Sequence, residues 1–276
     1  GDELFGGYNR YVWGSDLWRK LAPIPFWLRS LGSSTLKALS PQSWQHVLNF
    51  LGPALPAHLK QRHPGDKLQK LADALSASNP EHFYLKLVSH WDKPSDLALG
   101  ATEPFTGITD PRFGLESKKM AERMMFLDTI TYLPDDILVK LDRASMAASL
   151  EARTPMLDHT LLEFAWSLPH HLKIRGKLGK WILRQVLYKY VPESLLERPK
   201  AGFAIPLDAW LRGPLRDWAE ALLDESRLRT EGYLDPPPVR RKWSEHLSGR
   251  RNWQFLLWDV LMFQAWLENS RKAGLS

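Results

Sequence analysis

The chain is 276 residues long with a formal net charge of +6, and it is 44% hydrophobic and 25% charged, the balance of a globular protein able to bury a sizeable core. It contains no cysteine, which excludes disulfides, thiolate-bound zinc and a cysteine nucleophile within these residues. No apolar run reaches the roughly 18 residues that cross a bilayer: the best candidate, 255–267, is broken by Asp259 and Gln264, and the basic clusters at 175–180, 239–242 and 249–251 are small and scattered.

The first element is GDELFGGY, residues 1–8. Gly6 and Gly7 let backbone N–H groups approach an anion closely, and Asp2 is of the type that holds magnesium beside phosphate oxygens. The same string also reads as a short helix with acidic residues at its start and glycines at its end. Over 68–78, Leu68, Leu71, Ala72 and Leu75 recur at helical spacing. Asn79-Pro80 ends that helix and opens another over 80–91, with proline in its first turn. Residues 92–116, rich in Pro and Gly, read as a loop or linker between helical halves 1–91 and 117–276. Ser117 is placed to cap a helix over 117–133. Helices over 138–150, 159–168, 178–190, 214–224 and 252–268 follow. Strand signals are scarce, so the expected class is mainly α.

Three later segments carry residues suited to chemistry. Asp135 and Asp136 follow Pro134 at an expected helix start, where acids complement the dipole. Ala144, Ala147, Ala148 and Ser149 permit close packing or close ligand approach, and Glu151 with Arg153 reads as a buried pair closing that helix. Lys177 and Lys180 sit at the N-terminus of the 178–190 helix, an end where cations oppose the dipole; phosphate beside the free N–H groups would account for them, as would plain solvation. Arg198 and Lys200 sit on a Pro-Gly loop, where lysine acts as a point charge on pyrophosphate or a charged transition state. The stripe Trp253, Leu256, Leu257, Val260, Leu261, Phe263, Trp266 reads as core or as a lid.

Four stretches, in this order, resemble the asparagine synthetase (glutamine-hydrolysing) family: GDELFGGY, DRASMAASLEARTPMLD at 142–158, GKLGKWILR at 176–184 and RPKAGFAIPL at 198–207. The resemblance implies the helical part of an adenine nucleotide α-hydrolase-like (ATP pyrophosphatase) synthetase domain, with the parallel sheet largely missing. It implies ATP and Mg2+ as cofactors and aspartate as substrate: adenylation of the aspartate side chain, then attack by ammonia, gives asparagine, AMP and pyrophosphate. Ammonia would come from glutamine through a glutaminase domain absent here. By position, Asp2 corresponds to the magnesium carboxylate, with Gly1 beside it at the ATP/pyrophosphate site. Lys200 corresponds to the lysine at the adenylating transition state, and Lys180 to a second phosphate-facing lysine. Asp135 or Asp136 falls where an acid meets the amino-acid substrate; Glu3 takes a supporting place.

The family's phosphate loop S-G-G-x-D-S is missing from these residues, as is the acid expected just before Gly1. The chain is therefore expected to be the C-terminal portion of a longer, cytoplasmic enzyme, inactive alone, with no membrane contact and with homodimers a matter for the full-length form. Alternatives are a related amidotransferase acting on cell-surface polysaccharide, an amide-ring-forming synthetase, a non-catalytic helical scaffold, and, least supported, a basic nucleic-acid-binding module.

Overall fold

The computed structural model describes residues 1–38, 71–113, 119–196 and 205–274. Among them helices dominate and no strand forms; the only bridges are isolated, Ala98 with Leu234 and Arg175 with Leu178. The chain divides into two compact units that interleave in sequence. One comprises Gly1–Arg29, Ser76–Leu85 and Phe105–Ala201, the other Ser30–Leu75, Lys86–Pro104 and Gly202–Ser276. The expected halves 1–91 and 117–276 are therefore not the division. The expected linker is itself split: residues 94–96 form a 3-10 turn, and Leu97 is buried in the second unit's core.

The first unit holds α1 (Asp2–Phe5), α2 (Asn9–Leu21), α3 (Phe26–Ala38, which continues past Arg29), α4 (Pro80–Val88, which continues past Leu85), α5 (Met120–Ile130), α6 (Val139–Met146), α7 (His159–Ser167), α8 (His170–Lys173), α9 (Trp181–Leu187) and α10 (Glu193–Leu196). The apolar pair that follows Asp2-Glu3 explains α1's place. Leu4 and Phe5 are buried against Ala165 with Met156, Leu161, Trp166, Ile182 and Leu183 around them, so α1 is anchored on α7 and α9. Asp158 caps α7, its carboxylate accepting from the Thr160 and Leu161 amides. Between α5 and α6 the chain keeps turning as a π-helix, Leu133–Leu138. Pro134 has no N–H to give the regular ladder, and a widened turn is one way a helix accommodates it.

Two expectations for the next segment need correction. Glu151 and Arg153 do pair, at 3.1 Å, but their side chains are 69% and 83% exposed, so this is a surface pair adjacent in sequence, not a buried closure. The small residues Ala144, Ala147, Ala148 and Ser149 are likewise exposed; α6 stops at Met146, and the described residues bury none of that face. Ser117 lies outside the described residues, and α5 starts at Met120 with Lys119 as its N-cap.

The second unit is built from α11 (Leu207–Arg212), α12 (Arg216–Leu222), α13 (Glu225–Glu231), α14 (Pro236–Leu247) and α15 (Gln254–Lys272). Leu211, Leu223, Leu228, Val239, Trp243, Leu257, Val260 and Leu261 form its core. Trp243 satisfies its indole N–H by donating to Glu220, which removes the main cost of burying tryptophan. The terminal stripe is only partly core: Leu257, Val260 and Leu261 are buried, whereas Trp266 is 60% exposed.

Candidate functional site

The site grows from two turns far apart in sequence. After α1 the chain reverses at Gly6, whose φ of +72° is left-handed. A Cβ there would fall 2.4 Å from the Ile174 side chain, so glycine is required on two counts. The second turn, 177–180, is pressed onto the first: a Cβ on Gly179 would lie 2.0 Å from the Gly6 carbonyl oxygen. The Lys180 amide donates to the Phe5 carbonyl at 2.8 Å. The glycines of both motifs thus exist for each other, joining the turns backbone to backbone.

That junction decides where the side chains go. Lys180 Nζ lies 2.9 Å from Asp2 Oδ2, with both side chains about one-third exposed. Gly7 leaves the room for this: a Cβ on it would stand 2.0 Å from Asp2 Oδ1 and 2.3 Å from Lys180 Cε. Lys180 itself has a φ of +56°, a backbone region that costs a non-glycine residue roughly 1–2 kcal/mol. Strain of this kind collects at functional positions. Beside the pair is a cavity of about 330 Å³ lined by Gly6, Gly7, Tyr8, Asn9, Lys177, Gly179, Lys180 and Arg184, among others. Three cationic side chains and closely approachable glycine backbone suit a phosphate-bearing anion.

Of the residues the sequence pointed to, the structure brings Asp2 and Lys180 together and places Lys177 on the same cavity. Gly1 closes the first turn through its carbonyl, which accepts from the Phe5 amide. Asp135 and Asp136 are not new helix caps; they lie inside the π-helix, Asp135 exposed and Asp136 3.1 Å from Lys140. Lys200 and Arg198 lie outside the described residues. Two features escaped the sequence reading. Arg184, in the first turns of α9, lines the same cavity as Lys180. Asp128 is a fully buried carboxylate among Met124, Met125 and Leu127; a lone acid on an apolar helical stripe was the available signal.

Around Asp128 the polar groups form one network. Arg10 donates to it through Nη2 at 2.6 Å and Nε at 3.1 Å, and the Tyr11 and Tyr84 hydroxyls donate as well. The Arg10 guanidinium also lies over Tyr8, 4.2 Å from the ring centroid, and over Tyr132 at 5.1 Å. Tyr8 in turn donates to the buried Glu3 at 2.7 Å. Burial, then the neighbouring Glu3, raises the Tyr8 hydroxyl well above the ordinary tyrosine range; burial and Asp128 do the same to Tyr11 and Tyr84. All three remain protonated donors at neutral pH.

These helices thus bring an acidic turn and a lysine-bearing turn together beside a cationic cleft. The asparagine synthase family model matches residues 1–268, and the chain belongs to that family. It is 33% identical over 267 residues to asparagine synthetase [glutamine-hydrolyzing] 1 of Bacillus subtilis, covering 96% of this chain and 38% of that protein. It is 41% identical over 146 residues to a Mycobacterium tuberculosis protein, covering 52% of this chain and 22% of that one. To asparagine synthetase [glutamine-hydrolyzing] of Gallus gallus it is 27% identical over 154 residues, covering 50% of this chain and 26% of that protein. The chain thus spans well under half the length of these relatives. No solved structure is a significant match. Among the described residues no helix is long and apolar enough to cross a membrane.

Proposed function

We propose that this chain supplies the pyrophosphate-side wall of an ATP-dependent amide-forming ligase that adenylates the side-chain carboxylate of aspartate and passes it to ammonia derived from glutamine. The helices would then be the helical part of an adenine nucleotide α-hydrolase-like domain. The observation that carries this reading is the Asp2–Lys180 pair, fixed by the glycine weld at the edge of a cleft that also bears Lys177 and Arg184.

The residues fit a magnesium nucleotide. Among the described residues no cluster of three or more His, Asp or Glu forms a complete metal cage, and magnesium favours one or two carboxylates with phosphate oxygens supplying the rest. Asp2, partly exposed and given space by Gly7, offers such a carboxylate. Magnesium, when bound, would neutralise charge on the phosphate oxygens. The chain's own cations do the remainder: Lys180, Lys177 and Arg184 stabilise charge that grows on the leaving pyrophosphate as the aspartate carboxylate attacks the α-phosphorus. Lys200 is proposed to act with them, and Asp135 or Asp136 to meet the amino-acid substrate. Prepositioned charges of this kind are typically worth a factor of about 10²–10³ in rate each. In the full-length enzyme, Lys180→Ala is therefore expected to lower aspartate-dependent pyrophosphate release by about two to three orders of magnitude while the protein stays folded. Release at the wild-type rate would remove Lys180 from the site and the reading with it.

A further inference from the structure

The buried carboxylate of Asp128 does not line the cleft, but one of the side chains it holds, Arg10, lies over Tyr8, which does. An ionised carboxylate inside an apolar helix face is costly unless fully paired, and a hydrophobic residue would fill the same place more cheaply. Asp128 is instead saturated. Its Oδ2 accepts from Arg10 and Tyr11, and its Oδ1 accepts from Tyr84. Core packing alone does not require this arrangement, because Arg10 retains some exposure while its guanidinium is held over the rings of Tyr8 and Tyr132. Tyr8 is the last residue of the GDELFGGY turn and lines the cleft. Its hydroxyl is committed to Glu3, the immediate neighbour of Asp2 on a helix of only four residues. So short a helix has little stability of its own, and its orientation must be imposed from outside. Leu4 and Phe5 do this by burial, the Lys180 amide by its bond to the Phe5 carbonyl, and, through Glu3, the chain of contacts from α5.

Building on the phosphate-site reading, we infer that Asp128 is the positioning residue of this site: it fixes Arg10, Arg10 fixes Tyr8, and Tyr8 fixes Glu3 and thereby the aim of Asp2 toward Lys180. Residues that orient the groups contacting a metal or a phosphate typically change affinity or activity by about 10–100-fold when lost, and members of one relay are strongly non-additive.

The test uses the full-length enzyme with Asp128→Asn, Arg10→Gln and the double variant. It reads binding of inorganic pyrophosphate with magnesium by calorimetry, aspartate-dependent pyrophosphate release, and thermal unfolding. Each single variant is expected to weaken pyrophosphate binding and slow release by about 10–100-fold, with the double variant no worse than the poorer single. If the variants only lower the melting temperature, and the folded protein binds pyrophosphate like wild type, the inference is overturned; losses that multiply in the double variant overturn it as well. Should Asp128→Asn fail to fold, Arg10→Gln and Tyr8→Phe carry the test with the same expectation, since both side chains reach the surface. Wild-type binding that Lys180→Ala abolishes, with Asp128→Asn and Arg10→Gln unaffected, overturns this inference and leaves the phosphate site standing. No pyrophosphate binding by wild type overturns both.

Discussion

Lys180 is held in a left-handed backbone conformation that glycine adopts freely and lysine does not. The ion pair with Asp2 offers little in return, because a pair this exposed is worth at most about 1 kcal/mol. Stability therefore does not select lysine here, and two substitutions separate its two roles. Lys180→Gly relieves the backbone and is expected to leave the melting temperature unchanged or up to a few degrees higher, while pyrophosphate release is lost. Lys180→Ala keeps the strain, so it is expected to be the less stable of the two by about 1 kcal/mol. Calorimetric unfolding of both variants checks the ordering. The lysine was legible in the sequence as a cation ahead of a helix. That Asp2 shares its site followed from the resemblance; the direct ion pair between the two did not, because local spacing says nothing of contacts between residues so far apart in the chain.

The elements follow the same division. Helix existence was readable for the segments with clear apolar spacing and Pro or Gly punctuation, and α7 begins and ends within a residue of its expectation; α2, α3, α13 and α14 were not among the expected elements. Ends were less readable where the decisive partner is tertiary. The helix expected over 178–190 starts only at Trp181, since 177–180 is occupied in joining Gly6. The small residues of 138–150 were read as permitting close packing or close ligand approach; they are exposed among the described residues, so smallness reports what is permitted, not what is packed. Glu151 and Arg153 show the same limit, as a charge pair reads identically whether buried or exposed. The weld itself yields a prediction. Gly179→Ala places a methyl group against the Gly6 carbonyl, which only a backbone shift can relieve. It is expected to destabilise by about 1–3 kcal/mol and to reduce pyrophosphate release further than that loss of folded protein explains. Denaturant unfolding beside the activity assay distinguishes the two effects.

At the scale of the whole molecule, the mainly α class was open to inspection, whereas the interleaving of the two units was not. Contacts such as Leu97 in the second unit's core depend on long-range closure that local periodicity does not encode. The pH dependence of stability is another property of the folded whole. His246 is fully buried; its Nδ1 accepts from the Trp253 amide at 3.2 Å, and its ring stacks on Trp243. Burial, then Arg212, lowers its pKa, opposed in part by Asp208. Below a pH of about 6.5 the unfolded chain takes up this proton more readily than the native one, so the native state loses stability as pH falls through that value. Replacing His246 with Gln is expected to flatten the fall in melting temperature between pH 7 and 5, even if the variant is less stable throughout. A fall as steep as in wild type would assign the effect to other groups.

The weld between Gly6 and Gly179 also sets an order of events during synthesis. Chain growth proceeds at roughly 5–20 residues per second, so Asp2 leaves the ribosome roughly ten to forty seconds before Lys180 exists. Throughout that interval the nascent acid has no counter-charge, the short helix behind it has no floor, and the cleft has one wall. On the proposed function, pyrophosphate affinity is expected to arrive late and abruptly in a series of stalled nascent chains, once the second glycine turn has cleared the exit tunnel.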